Sequence, residues 1–207
     1  MKHLIIIAAI LVSTIAIAQT NYEKGMQKAF ELWQTNNWTE AEQLFERIAA
    51  AELNEWLPSY YVAQMNSLKS WEEKDMTKVK AQLDKAQDYL NIAMSISKNN
   101  PDLLVMQAQI YTNWIVTDGM TYGMKYSAKV KELYTEAYAL APNNPMVVFC
   151  NADWNMGSAL YFGQDTKPFC KDIERAIELF ANFKPESPFH PNWGIERAKQ
   201  QLEKCKS

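Results

Sequence analysis

The chain has 207 residues, 48% hydrophobic and 22% charged, with a formal net charge of −3. That length and balance suit one globular domain with a sizeable core, and a weakly acidic chain without a run of Lys and Arg gives no electrostatic ground for binding nucleic acid. Seven Trp, ten Tyr and eight Phe against only six Gly argue for helices rather than a turn-rich sandwich or barrel.

Residues 1–18 read as a leader. Met1-Lys2-His3 gives a short positive start, Leu4 to Ile17 is almost wholly apolar, and Ala16-Ile17-Ala18 has the small-x-small pattern of a cleavage site. The apolar run falls short of the roughly 20 residues that span a bilayer. The mature chain is expected to be 19–207, beginning at Gln19, in the periplasm or outside the cell. No second long apolar stretch follows, so no membrane insertion of the mature chain is expected. Removing Lys2 takes the formal charge to −4 and leaves His190 as the sole histidine.

The first unit covers about Tyr22 to Leu53. Its first helix carries Met26, Ala29, Phe30, Leu32 and Trp33. Its second begins near Asn37, with Glu40 placed to complete a capping box, and Ala41, Leu44, Phe45 and Ile48 fall on one face. The second unit begins near Trp56. Its second helix reads Val79, Leu83, Ala86, Leu90, Ala93 and Ile96, an amphipathic stripe. Asn99-Asn100-Pro101 ends it and starts the next helix, with Pro where a missing N–H costs nothing.

That phrase returns 44 residues later as Asn143-Asn144-Pro145, and the apolar positions return with it. Leu90 becomes Tyr134, Ala93 becomes Ala137, Ile96 becomes Leu140 and Ala108 becomes Ala152. A fixed period in this range is the mark of stacked helical repeats. The third unit runs through Leu104, Ala108, Tyr111 and Ile115, then a loop expected over Thr117 to Gly123, then Val130, Leu133, Tyr134, Ala137 and Leu140. The fourth holds Val148, Phe149, Ala152 and Met156, turns at Gly163 to Thr166 and resumes at Pro168. A last helix from about Asn192 to Lys204 carries Trp193, Ile195, Ala198 and Leu202 and is otherwise polar, which suits a closing helix.

Asn36-Asn37-Trp38-Thr39-Glu40-Ala41 followed by Phe45 resembles the centre of a tetratricopeptide repeat, and Ala29 matches that motif's small residue on the first helix. Ala137 followed by Pro142 resembles the motif's ending. The small residues step by 34 from Ala29 to Ala63, then by 45 to Ala108 and 44 to Ala152. The later units are therefore longer than the family's 34, through longer helices or longer hairpin loops. The resemblance implies an all-α fold: a right-handed stack of antiparallel helix pairs with a C-terminal closing helix. It also implies a concave face lined by the first helix of each unit, where ligands of such repeats lie. Onto that face it projects Tyr60, Gln64 and Leu68, then Val105, Gln109 and Asn113, then Phe149, Asp153 and Met156. No Lys or Arg ladder stands among them, which leaves a clamp for a terminal carboxylate unsupported.

Chemistry is sparse. No Gly-rich phosphate loop or dinucleotide fingerprint is present, and a single His removes the usual zinc clusters and most nucleophile–base pairs. Catalysis, cofactors and metals are not expected. Glu40-Ala41-Glu42 and Glu72-Glu73 read as solvated surface, and His190 as a turn residue between prolines. Aromatic residues off the helical stripes (Trp71, Trp114, Tyr122, Tyr126, Tyr161 and Phe162) gather at the connections within units. They form either a contact edge or a small satellite core beneath the loops. Of three cysteines, Cys170 and Cys205 return to one level across the last antiparallel pair and can be bridged, leaving Cys150 as a buried thiol; three free thiols is the alternative. The expected function is a non-enzymatic exported interaction protein that presents a groove or aromatic edge to a protein or peptide. The alternative is a binder of a small apolar or glycan ligand.

Overall fold

Helices carry most of the described residues, and most begin where the sequence supplies a cap or a proline. The computed structural model describes residues 21–206. The leader, its cleavage site and the start at Gln19 lie outside the described residues. Helix α1 covers 21–34. It is followed by α2 (Trp38–Ala51), α3 (Leu57–Glu72), α4 (Met76–Ile96), α5 (Pro101–Thr117), α6 (Gly119–Leu140), α7 (Pro145–Tyr161), α8 (Cys170–Asn182) and α9 (Ile195–Lys206). No strand occurs among the described residues.

The duplicated Asn-Asn-Pro phrase starts α5 and α7. Asn100 Oδ1 accepts the Asp102 N–H at 2.9 Å, and Asn144 Oδ1 accepts the Met146 N–H at 2.9 Å, so each caps its helix before a proline at the first position. The first Asn of each pair differs. Asn99 takes a left-handed backbone (φ +54°), whereas Asn143 accepts a hydrogen bond from Arg175 of α8 at 2.9 Å. The capping box expected at α2 is not formed. Asn37 makes no side-chain cap and instead donates to Thr35 Oγ1 at 3.2 Å.

The extra length of the later units lies in the helices. The loop expected over Thr117 to Gly123 is a single connecting residue, Asp118, whose carboxylate caps α6 by accepting the Thr121 N–H at 3.0 Å. Helices α4 and α6 run to 21 and 22 residues. Two glycines in the first turns of α6 argued for a loop. The packing of Tyr122 and Tyr126 against α5 overrides that local preference.

Consecutive helices pack on one another, and α5 also touches α3 and α7. Asn113 of α5 donates to Ser67 Oγ and Ser70 Oγ of α3, both at 2.9 Å. Asn144, at the start of α7, donates to Asp102, at the start of α5, at 3.0 Å. Helices α3, α5 and α7 therefore point the same way, with their N-terminal ends on one edge and their C-terminal ends on the other. Ala29, Ala63, Ala108 and Ala152 are at most 1% exposed. Their small side chains let neighbouring helices approach closely. Ala198 of α9 is equally buried, 46 residues after Ala152. Tyr60, Phe45, Phe149, Met65, Leu83 and Leu90 are the bulk of the core, each fully buried. Each contributes about 1.5–3 kcal/mol of apolar burial.

One acidic residue read as solvated surface is not. Glu42 is 6% exposed and accepts hydrogen bonds from Asn66 and Lys69 of α3 and pairs with Lys85 of α4. Burial alone pushes its carboxyl up, but the hydrogen bonds from Lys69, Lys85 and Asn66 more than offset this and hold it below the usual carboxylate range. The position faces one lysine from each of two neighbouring helices and keeps its charge by pairing it.

Candidate functional site

The projected concave face is occupied by the chain itself. After α8, residues 183–194 leave the helical register and cross the N-terminal edge as a strap. Three prolines, Pro185, Pro188 and Pro191, keep this stretch out of a helix. The Phe189 ring stacks on Phe30 of α1 at 5.9 Å and meets Tyr22 edge-on at 6.1 Å. The Tyr61 hydroxyl donates to the Phe189 carbonyl at 2.7 Å. Trp193 Nε1 donates to the Tyr60 hydroxyl at 2.8 Å. Gly194, at φ +105°, lets the chain turn into α9 with the Phe149 ring so close that an added Cβ would stand 3.2 Å from it.

His190 sits in a turn between prolines, its backbone N–H donating to the Ser187 carbonyl at 3.1 Å, and its side chain is also engaged. Its Nε2 lies 3.1 Å from Asp102 Oδ2, while the other Asp102 oxygen takes the Asn144 amide at 3.0 Å. Asp102 is 4% exposed. The hydrogen bond to this carboxylate raises the His190 pKa above its ordinary 6.5, against the opposing effect of burial. A cleft of about 410 Å³ opens beside the pair, rimmed by Trp56, Lys98, Phe183, Lys184 and Glu186.

The residues projected onto an open groove therefore divide. Tyr60 and Phe149 are at most 1% exposed and lie under the strap. Gln64 and Asn113 are also buried, Asn113 through its bonds to Ser67 and Ser70. Gln109 is half-buried, with its amide 3.9 Å from Cys150 Sγ. Asp153 pairs with Arg197 of α9 at 2.9 Å and accepts from Gln201 at 2.6 Å. Tyr60, Phe149 and Asp153 are thus engaged by the chain's own C-terminal segment, while Asn113 is held by α3 and Gln109 lies against α7. No periodicity marks the strap, so nothing in the sequence signalled that it folds back over this face. Cys170 and Cys205 are joined, with Cα atoms 5.9 Å apart, and tie the start of α8 to the end of α9. Cys150 is free and buried, and burial first of all pushes its thiol far above the ordinary range.

The opposite edge is open and apolar. Nine of the thirteen large apolar side chains exposed among the described residues sit there, at the C-terminal ends of α3, α5 and α7 and the first turns of α4 and α6. Met120 and Met124 are 96% and 97% exposed, Leu160, Tyr161 and Phe162 are 73%, 83% and 69%, and Val116 is 62%. Trp71 stands beside them, half exposed. The aromatic residues of this edge divide between packing and exposure. Trp114 is buried, and Tyr111, Tyr122 and Tyr126 half-buried in a ladder that glues α6 to α5. Trp71, Tyr161 and Phe162 face solvent. Exposed apolar surface concentrated in this way makes the edge a candidate contact site.

Among the described residues no group of three or more His, Cys, Asp or Glu is placed to hold a metal, and no helix is long and apolar enough to cross a membrane. No family model matches the chain, and no curated protein matches it. In fold it is similar to the HusA haemophore from Porphyromonas gingivalis, with a TM-score of 0.77 and 19% sequence identity over 89% of this chain and 92% of that one. At that identity the likeness is one of all-helical fold.

Proposed function

We propose that the chain is an exported, non-enzymatic binding protein, built as a tetratricopeptide-like helical stack, that carries a flat apolar ligand of the tetrapyrrole class. The ligand lies on the open edge at the C-terminal ends of α3, α5 and α7. The observation that carries this reading is the concentration of exposed Met, Tyr, Phe and Trp side chains on that edge. Such residues supply polarisable, flat contact surface for an aromatic macrocycle. The thioethers of Met120 and Met124 are also soft donors of a kind that ligates haem iron. The likeness in fold to a haemophore supports the same class of cargo, and the leader-like N-terminus supports a periplasmic or extracellular place of work. A protein or peptide partner on this edge is the second reading, favoured by the flexible methionines, which adapt to irregular partner surfaces.

Haemin titrated into the chain from Gln19 onward should shift and sharpen its visible absorption band. Tyr161→Ser combined with Phe162→Ser should weaken binding about tenfold or more through lost apolar contact. Both residues are exposed, so the variant should keep its helical signal. A haemin spectrum unaltered by the protein refutes the tetrapyrrole reading, and unaltered affinity in the variant refutes the choice of edge.

A further inference from the structure

The open edge carries a positive arm as well as apolar surface. From Gly119 to Lys131, α6 holds Lys125, Lys129 and Lys131 and no acidic residue, in a chain that is acidic overall. Beneath them lies the tyrosine ladder. Tyr111 and Tyr126 stack at 4.4 Å with planes 6° apart, and Tyr126 and Tyr122 follow at 5.8 Å and 8°. Lys125 Nζ stands 4.8 Å from the centre of the Tyr126 ring and 5.8 Å from that of Tyr122. Lys129 Nζ stands 5.9 Å from Tyr126 and 6.0 Å from Tyr111. The ring faces hold both ammonium groups in place. Some of the other exposed lysines pair with carboxylates, Lys28 with Glu31, Lys80 with Asp84 and Lys199 with Glu196. Among the described residues no carboxylate lies within ion-pair distance of Lys125 or Lys129.

Two ammonium groups held over aromatic faces, with no carboxylate at ion-pair distance, on the same end of α6 as the exposed Met120 and Met124, form a two-part recognition surface. We infer that this edge selects flat apolar ligands bearing carboxylates, with the macrocycle on the exposed Met and aromatic side chains and the carboxylates on Lys125 and Lys129. The inference rests on the proposed function and adds to it the charge of the cargo and the residues that read it. An ammonium holds a carboxylate as a point charge without fixing its angle, which suits flexible acidic side arms. Neutral and cationic macrocycles of the same shape gain nothing from the arm.

Metal-free protoporphyrin and its dimethyl ester share one ring and differ in charge, so they separate the two parts. Binding of each is followed by fluorescence anisotropy of the porphyrin, with the native chain and with Lys125→Gln/Lys129→Gln. The diacid should bind the native chain about fivefold tighter than the ester or better, as two exposed charge pairs allow. In the double variant the two ligands should bind alike, with the affinity for the ester unchanged. Equal affinity of diacid and ester for the native chain overturns the inference and leaves the proposed function standing. A preference for the diacid that survives in the variant overturns the assignment to these lysines. Failure of both ligands to bind overturns the proposed function itself. Both lysines are exposed, and an unchanged far-ultraviolet helical signal in the variant separates loss of charge from loss of fold.

Discussion

Removing the ring of Phe189 should loosen the strap from the first helix. The side chain is half-buried, stacked on Phe30 and edge-on to Tyr22. Truncating a fully buried Phe to Ala costs about 3–5 kcal/mol, and about half of that, near 2 kcal/mol, applies to a ring half covered. The Tyr61 hydrogen bond goes to the backbone carbonyl and survives the change. For a chain of this size 1 kcal/mol moves the melting temperature by about 2–4 °C, so Phe189→Ala should melt about 4–8 °C lower. Circular dichroism at the helical minimum reads this directly, and Phe189→Leu should recover part of it. A double-mutant cycle with Phe30→Leu should give a coupling of about 0.5–1.5 kcal/mol for the stacked pair. A melting point within about 1 °C of the parent, or no coupling, would refute the reasoning that the strap is packed onto α1.

The other expectations concern charge, covalent closure and packing. His190 has its pKa raised above 6.5 by Asp102, so its contribution to stability is complete below about pH 6.5 and is lost as pH rises through the raised value; denaturant unfolding should show this decline, and His190→Gln should flatten it. Reduction of Cys170–Cys205 should cost about 2–4 kcal/mol, and the unreduced, denatured chain should show one reactive thiol, Cys150, that is silent in the native protein; a count of three disposes of the bridge. Ala152→Leu should overpack the crossing of α7 with its partners and cost about 1–3 kcal/mol, whereas an unchanged melting point would mean that this crossing has room to spare.

The helices were legible because their signals are local. Asn100 and Asn144 before prolines announce two helix starts, and the stripe from Val79 to Ala93 is buried throughout as its spacing requires. Gly119 and Gly123 misled because glycine's low helix propensity argues against a helix, while the reason for one, the tyrosine ladder onto α5, is tertiary. Glu42 misled in the same way: its lysines sit 27 and 43 residues further along the chain. The candidate groove was legible as a set of positions on α3, α5 and α7 but not as a closed surface. What closes it is an aperiodic, proline-rich stretch whose partners lie up to 167 residues away, between Tyr22 and Phe189. The aromatic edge residues could be named from their place off the stripes, but Met120, Met124, Val116 and Leu160 could not. Which of them pack inward and which face water depends on how far α6 runs back over α5.

The strap also sets the order in which the molecule can be completed. In an ordinary helical array each unit touches only its neighbours, so a growing chain can finish its first unit and build on it. Here the first helix receives Phe189 into its aromatic face and the third receives Trp193 onto Tyr60, from a segment synthesised well after either helix. The N-terminal unit stays unfinished until the C-terminal residues arrive, and closure of that long loop joins the two ends of the array into one cooperative unit. Such a chain commits to its native state late, and unravelling from either end first has to break a contact with the other.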